Sequence, residues 1–232
     1  MIGVLGISHK DTTQASMWFR HTSNLPEEQD GHNRLLVFWS PRVSERMRKH
    51  IARSIPSFTI SFHEAPVHER GYPGSASHLF VLAMEEAGRL YPGEPLLWLE
   101  SDAIPMKPGW FDAIAEEYAT CDKPFMGHLE AAHAIPHLAG VAVYPHNWKE
   151  LSPMLANSHT APDIPFFGRG KGQAFDAYAA PEVFPQSRQA KTIQQVFGKR
   201  RWYPQDLNKI GPETVLIHQS KDGSLINLLS KR

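Results

Sequence analysis

Cysteine is nearly missing: Cys121 stands alone among 232 residues. One thiol can build neither a disulfide framework nor a cysteine-rich zinc site, and it fits the reducing cytoplasm, which is the expected location. No window approaches the roughly 18 apolar residues of a membrane span. The opening MIGVLGISHKD has no basic segment, and Asp11 falls where a signal peptide would continue its apolar stretch, so no secretory leader is expected. Neither sign of charge predominates. Lys+Arg and Asp+Glu number 24 each, so the chain as a whole is no polycation that grips nucleic acid unspecifically. Also missing are internal repeats, low-complexity tracts, flexible Gly/Ser linkers and the GxxxxGK[ST] loop, which removes a P-loop kinase from consideration.

What is present reads as globular: 41% hydrophobic and 21% charged residues. At about 150 residues per domain the length allows one or two domains. Two excesses stand out, 19 Pro, which imply many rigid loops, and 13 His. Residues 1–7, 34–39 (RLLVFW), 58–62 (FTISF) and 95–99 (PLLWL) read as strands, and the last has the continuous apolar run of a buried parallel strand. Between them, helices are expected from a Thr12 or Thr13 cap to about Arg20, from Val43 to Arg53, and from Ser75 through Leu90. Pro108 opens another, over GWFDAIAEEYA, and strands at 124–127 and 139–144 follow. The last third, rich in Pro and Gly over 157–172 and with four prolines in 181–214, is looser. Alternating strands and helices imply a single α/β domain with an open, mostly parallel sheet and an irregular C-terminal portion.

In such a sheet ligands bind beyond the carboxyl ends of the strands. The polar groups there are Ser8-His9-Lys10-Asp11, Ser40-Pro41-Arg42, His63-Glu64 and Glu100-Ser101-Asp102, and all four are expected to converge. Two carboxylates two residues apart on a turn, Glu100 and Asp102, can hold a hard divalent cation whose shell is completed by phosphate oxygens. Equally, Asp102 can do no more than cap the turn before Ala103.

The segment PLLWLESDAIPMKPGWFDAI resembles the metal-binding segment of nucleotide-sugar glycosyltransferases of the GT-A fold, in which an acidic D-x-D-type motif ends a central strand. VLGISHKDTTQA resembles the first strand and nucleotide-contacting turn of that fold. The ordering is similar to small phage-encoded and bacterial glycosyltransferases, some of which decorate modified bases in DNA. The likeness covers about residues 1–145 and the stretch around His218. It departs from the common pattern at Glu100, which stands where an Asp is usual, so Asp102 is the firmer ligand. The resemblance implies a GT-A-like, Rossmann-related fold and a metal-dependent glycosyltransferase. It implies a nucleotide sugar, of the UDP-sugar kind, as donor and Mn²⁺ or Mg²⁺ as metal, held by Asp102, His218 and Glu100. Imidazole beside two acids suits Mn²⁺ better than Mg²⁺. Ser8, His9, Lys10, Asp11 and Ser101 are then the donor contacts. Lys221 is placed to neutralise the diphosphate. A single domain over 1–232 divides into a nucleotide-sugar half (1–102), an acceptor half (103–214) and a tail closing over the diphosphate (215–232).

GYPGSASH (71–78) is a Gly/Pro turn into a helix whose N-terminus can meet an anion, with His78 as a further donor contact, or a plain loop capped by Ser75. His128, Glu130, His133 and His137 have spacings compatible with zinc but read as loop residues. Transfer with inversion needs a carboxylate to take the acceptor proton. Asp176 in GQAFDAYAA is the first choice and Glu130 the second, although Asp176 can also serve only the helix dipole. Basic residues cluster at Arg42, Arg46, Arg48, Lys49 and Arg53 and again in Lys199-Arg200-Arg201-Trp202-Tyr203. The second run could grip a phosphate backbone and stack a flipped base. The resemblance, more than this run, implies the expected acceptor: a hydroxymethylpyrimidine such as hydroxymethylcytosine in phage DNA, with the host cytoplasm as location, and a saccharide or protein hydroxyl as alternative. Two other readings remain: nucleotidyl transfer, disfavoured because SHKDTTQ has no glycine, and a non-catalytic nucleotide- or sugar-binding module.

Overall fold

The N-terminal apolar run forms strand β1 (Ile2–Ile7), buried at every position as a strand covered on both faces must be. Helix α1 (Thr12–Ser23), β2 (Asn33–Trp39), α2 (Glu45–Ile51), β3 (Phe58–Glu64), α3 (Gly74–Leu90) and β4 (Leu96–Glu100) alternate after it. The two-residue β5 (Ile104–Pro105), α4 (Trp110–Ala119), β6 (Phe125–Glu130) and β7 (His137–Tyr144) come next. Short helices α5 (Trp148–Leu151), α6 (Pro153–Ala156), α7 (Phe175–Tyr178) and α8 (Ala180–Val183) lead to β8 (Ser187–Gln189), β9 (Ile193–Gln195), β10 (Leu216–His218) and α9 (Ser224–Leu229). The computed structural model describes residues 1–25, 33–52, 55–65, 74–160, 174–196 and 201–231. Among the described residues no helix is long and apolar enough to cross a membrane.

The fold is the expected α/β type. A seven-stranded sheet runs β3-β2-β1-β4-β7-β6-β8, and among its strands only β7 is antiparallel to its neighbours β4 and β6. Side chains alternate across it. Leu5, Ile7, Leu35, Val37, Leu97 and Leu99 point into one core layer with Trp18 and Phe19 of α1 and Trp110 and Phe111 of α4. Val4, Leu36, Phe38, Leu96 and Trp98 point into the other, with Phe80, Val81 and Met84 of α3 and Phe175 of α7. Each fully buried side chain of this size contributes about 1.5–3 kcal/mol, so the layers fix the sheet and the polar turns at its edge. Gly6 is a required close approach: a Cβ there would lie 2.5 Å from the Trp98 ring and 3.1 Å from Leu79.

Several local expectations change. Helix α2 starts two residues later than Val43, because Ser44 caps it by accepting from the Met47 N–H and Val43 is buried in the core. His128 and Glu130 belong to β6 and His137 opens β7, so these are strand rather than loop residues. Trp202 is buried in the core, which removes it as an exposed stacking platform, while Tyr203 is exposed beside Arg201. Lys199, Arg200 and Arg53 lie outside the described residues, as do Gly71 to Pro73. The C-terminal portion is built into the core through Val215, Leu216, Ile217 and Leu225.

Candidate active site

The chain lays down β1, β2 and β3 in one direction and then places β4 on the far side of β1. That reversal opens a crevice beyond the carboxyl ends of β1 and β4, the usual ligand position in an open α/β sheet. A cleft of about 940 Å³ lies there, lined by Ser8, His9, Lys10 and Asp11 after β1, Ser40 and Arg42 after β2, and Glu100, Ser101 and Asp102 at the end of β4. Asp176, His218 and Lys221 close it from the C-terminal part of the chain. Three of the four strand-end groups thus meet. The fourth does not: His63 stacks on Phe38 at 5.0 Å and Glu64 pairs with Arg48 at 2.7 Å, because strand β3 continues through both. His78 is also displaced. Helix α3 presents Ser75, Ala76 and Leu79 to the cleft, whereas the His78 ring faces that of His159 at 5.8 Å.

A second, small sheet brings His218 to the acids. Its order is β5-β10-β9, with Ile217 opposite Ile104 and His218 opposite Gln195. Since β5 begins two residues after Asp102, the end of β10 arrives beside that turn, and the Ser220 N–H donates to the Asp102 carbonyl at 3.2 Å. His218 Nε2 then lies 3.4 Å from Glu100 Oε2 and 3.5 Å from Asp102 Oδ1. One ligand atom from each of the three lies within 4.8 Å of the others, the one such group of three among the described residues. Asp102 Oδ2 is buried and accepts no hydrogen bond, and the Lys221 ammonium stands 3.7 Å from it. A buried carboxylate oxygen in that condition is costly unless a cation supplies the missing partner. Two carboxylates and one imidazole nitrogen, open toward a cleft, fit a divalent metal of the Mn²⁺ type.

Burial disfavours the His218 imidazolium, but hydrogen bonding and charge from Asp102 and Glu100 outweigh it and raise the pKa to about 10. Burial would push Asp102 up, yet His218 and then Lys221 hold it below the usual carboxylate value. A proton therefore occupies the position a metal would take. Metal binding must displace it, so Mn²⁺ affinity is expected to rise about tenfold per pH unit from pH 6 to 8.5, with close to one proton released. Isothermal titration in buffers of different ionisation enthalpy counts that proton. Affinity independent of pH would contradict the assignment of His218 as a ligand.

Asp176, at the start of α7, is raised by burial and further by Glu100, against the opposing effects of His137 and of the Ala177 N–H, which donates to Oδ1 at 2.8 Å. Gly140 of β7 lies beneath both carboxyls: a Cβ there would sit 3.5 Å from Glu100 Oε1 and 3.6 Å from Asp176 Oδ2. Glu130 is not in the cleft lining. It sits behind His218, accepting from Gln195 Nε2 at 2.9 Å, while Gln195 Oε1 meets His218 Nδ1 at 2.5 Å. Ser8 donates to Asp11 at 2.5 Å and accepts from the Lys10 N–H, so the β1 turn is held by its own side chains. Gln195 carries no charge or spacing signal in the sequence. Only its pairing with His218 across β9 and β10 reveals it.

The sequence matches no protein-family model, and no curated protein matches it. Solved structures are similar over nearly the whole chain. A galactosyltransferase, LgtC, crystallised with donor and acceptor sugar analogs, is 12% identical with a TM-score of 0.56, over 97% of this chain and 88% of that one. A glycosyltransferase involved in glycosylation of the major capsid of PBCV-1 is 14% identical with a TM-score of 0.55, over 100% and 99%. Mouse xyloside xylosyltransferase 1 is 9% identical with a TM-score of 0.55, over 94% and 97%. This shared architecture, a mostly parallel seven-stranded sheet between helical layers, is the GT-A type of fold.

Proposed function

We propose that the protein is a metal-dependent glycosyltransferase that moves a sugar from a nucleotide-sugar donor, of the UDP-sugar kind, to an acceptor hydroxyl. The observation that carries this reading is the meeting of Glu100, Asp102 and His218 at the sheet's switch point, with an unsatisfied buried oxygen on Asp102. A divalent cation bound there would supply Lewis-acid charge against the negative charge growing on the departing nucleoside diphosphate. Asp102, Glu100 and His218 Nε2 are the groups that would hold it. Ser8 to Asp11 and Ser101 line the cleft beside it as donor contacts, and the Lys221 ammonium offers a second positive charge to the diphosphate. Asp176 is the carboxylate to accept the acceptor's proton. Its raised pKa brings it nearer the working pH, which favours a general base. Residues 1–102 are then the donor half, 103–214 the acceptor half, and 215–232 the segment that covers the diphosphate.

The acceptor we propose is a carbohydrate hydroxyl. Two of the similar structures concern sugar acceptors by name, one holding an acceptor sugar analog and one a xyloside xylosyltransferase. A hydroxymethylpyrimidine in DNA draws less support. Trp202 is buried, and in the first basic cluster Arg48 and Lys49 already pair with Glu64 and Glu45 at 2.7 Å. The test is release of nucleoside diphosphate from UDP-sugars in Mn²⁺, with simple glycosides or hydroxymethylated DNA added. Metal-dependent release stimulated by a glycoside is the expected result. Stimulation by the DNA instead, with salt-sensitive DNA binding, would replace the acceptor assignment. No release from any donor would overturn the enzyme reading.

A further inference from the structure

The amide of Gln195 joins a carboxylate, which as an anion only accepts, to an imidazole nitrogen whose role depends on the tautomer. On one side its Nε2 lies 2.9 Å from Glu130 Oε1, and on the other its Oε1 lies 2.5 Å from His218 Nδ1. An ionised carboxylate only accepts hydrogen bonds, so Glu130 compels the amide to turn its NH₂ toward it and its oxygen toward the histidine. An oxygen facing Nδ1 requires a proton on Nδ1. The lone pair left for a metal is therefore on Nε2, the atom that faces Glu100 and Asp102. The backbone supports the same arrangement, since Gln195 and His218 are direct partners in the β9–β10 pairing. Glu130 stands on β6, and its side chain is only 15% exposed.

We propose that Gln195 and Glu130 are positioning residues that fix the tautomer and aim of His218, so that Nε2 is presented to the metal; the inference rests on the metal-site reading above. Glu130, a candidate base in the sequence, thereby takes a different task, acting through Gln195 rather than on the substrate. Partners that orient a metal-binding histidine usually matter 10–100-fold in affinity. Gln195→Leu should weaken Mn²⁺ binding by about that factor, and Glu130→Leu, which frees the amide to flip, by about tenfold.

The deciding variant is the reciprocal pair Gln195→Glu with Glu130→Gln. It keeps an oxygen acceptor against Nδ1–H and an amide donor against the new carboxylate, and should recover most of the affinity that either single leucine variant loses. Mn²⁺ binding is read by the electron paramagnetic resonance of the free ion, and the Nδ1–H proton by its downfield nitrogen-15-correlated resonance in metal-free protein. Circular dichroism checks that each variant is folded. Wild type and the reciprocal pair should show the resonance downfield, and Gln195→Leu, whose Nδ1–H has no acceptor, should lose that downfield shift together with affinity. Equal Mn²⁺ affinity in wild type and folded Gln195→Leu would overturn this inference alone. A wild type that binds no Mn²⁺ would overturn the metal-site reading and this inference with it.

Discussion

Replacing Asp102 with asparagine is expected to weaken Mn²⁺ binding by about 100-fold or more, beyond the loss expected for an outer-shell partner. The substitution keeps the side chain's size and removes only its charge. Asp102 is the more enclosed of the two acids, with a side chain 8% exposed against 39% for Glu100, so solvent screens its charge least. Its Oδ2 has no hydrogen bond to lose, and His218 keeps Glu100 at 3.4 Å, so the folded state should survive. Without Asp102 the strongest charge holding a proton on His218 is gone, and His218 should titrate lower than in wild type. Nucleoside diphosphate binding that depends on Mn²⁺ should fall in parallel. Wild-type Mn²⁺ affinity in the Asp102→Asn variant would show that Asp102 is only a turn residue.

Phe80→Ala is expected to cost about 3–5 kcal/mol of stability in urea denaturation, the range for truncating a buried aromatic ring. Phe80 is fully buried and stacks face to face on Phe175, with ring centroids 4.0 Å apart and planes 8° from parallel. Its edges meet Trp98 and Tyr144 at 5.2 Å and Trp148 at 5.8 Å, so few neighbours can move into the space it leaves. The effect reaches the cleft as well. Phe175 precedes Asp176, and Trp98 and Phe175 both line the cavity. Donor turnover should therefore drop at temperatures where the variant is still folded. A loss below about 1 kcal/mol would mean that the aromatic cluster does not anchor α7, since such a small cost belongs to surface positions.

The parts of the fold that the sequence displays are those where every layer demands apolar residues. Residues 2–7, 35–39 and 96–99 are unbroken apolar runs because their strands are covered on both faces, and the polar turn after β1 and the acids ending β4 follow from that. His63 and Glu64 do not join the other groups because the edge strand β3 is only partly covered along most of its length, so its end has no sharp polarity change. Direction was hidden too: β7 is as apolar as a parallel strand, and nothing in its composition shows that it runs against β4. Trp202 stands between Arg201 and Tyr203 and reads as surface, yet it is buried in the core layer that also holds Leu216, Ile217 and Leu225. His218 is legible through the resemblance, which covers the stretch around it and implies a metal ligand there. Gln195 is not, because a neutral amide in a three-residue strand acquires its role only from the chain that folds beside it.

The most direct measurement is calorimetric titration of the protein with UDP, GDP, CDP and ADP, each in the presence of Mn²⁺ and again in a chelator. Binding of one of these, UDP foremost, with Mn²⁺ and its loss in chelator is the predicted result. A nucleotide bound equally well in both conditions, or no binding of any of the four, would contradict a metal-held donor site at Glu100, Asp102 and His218.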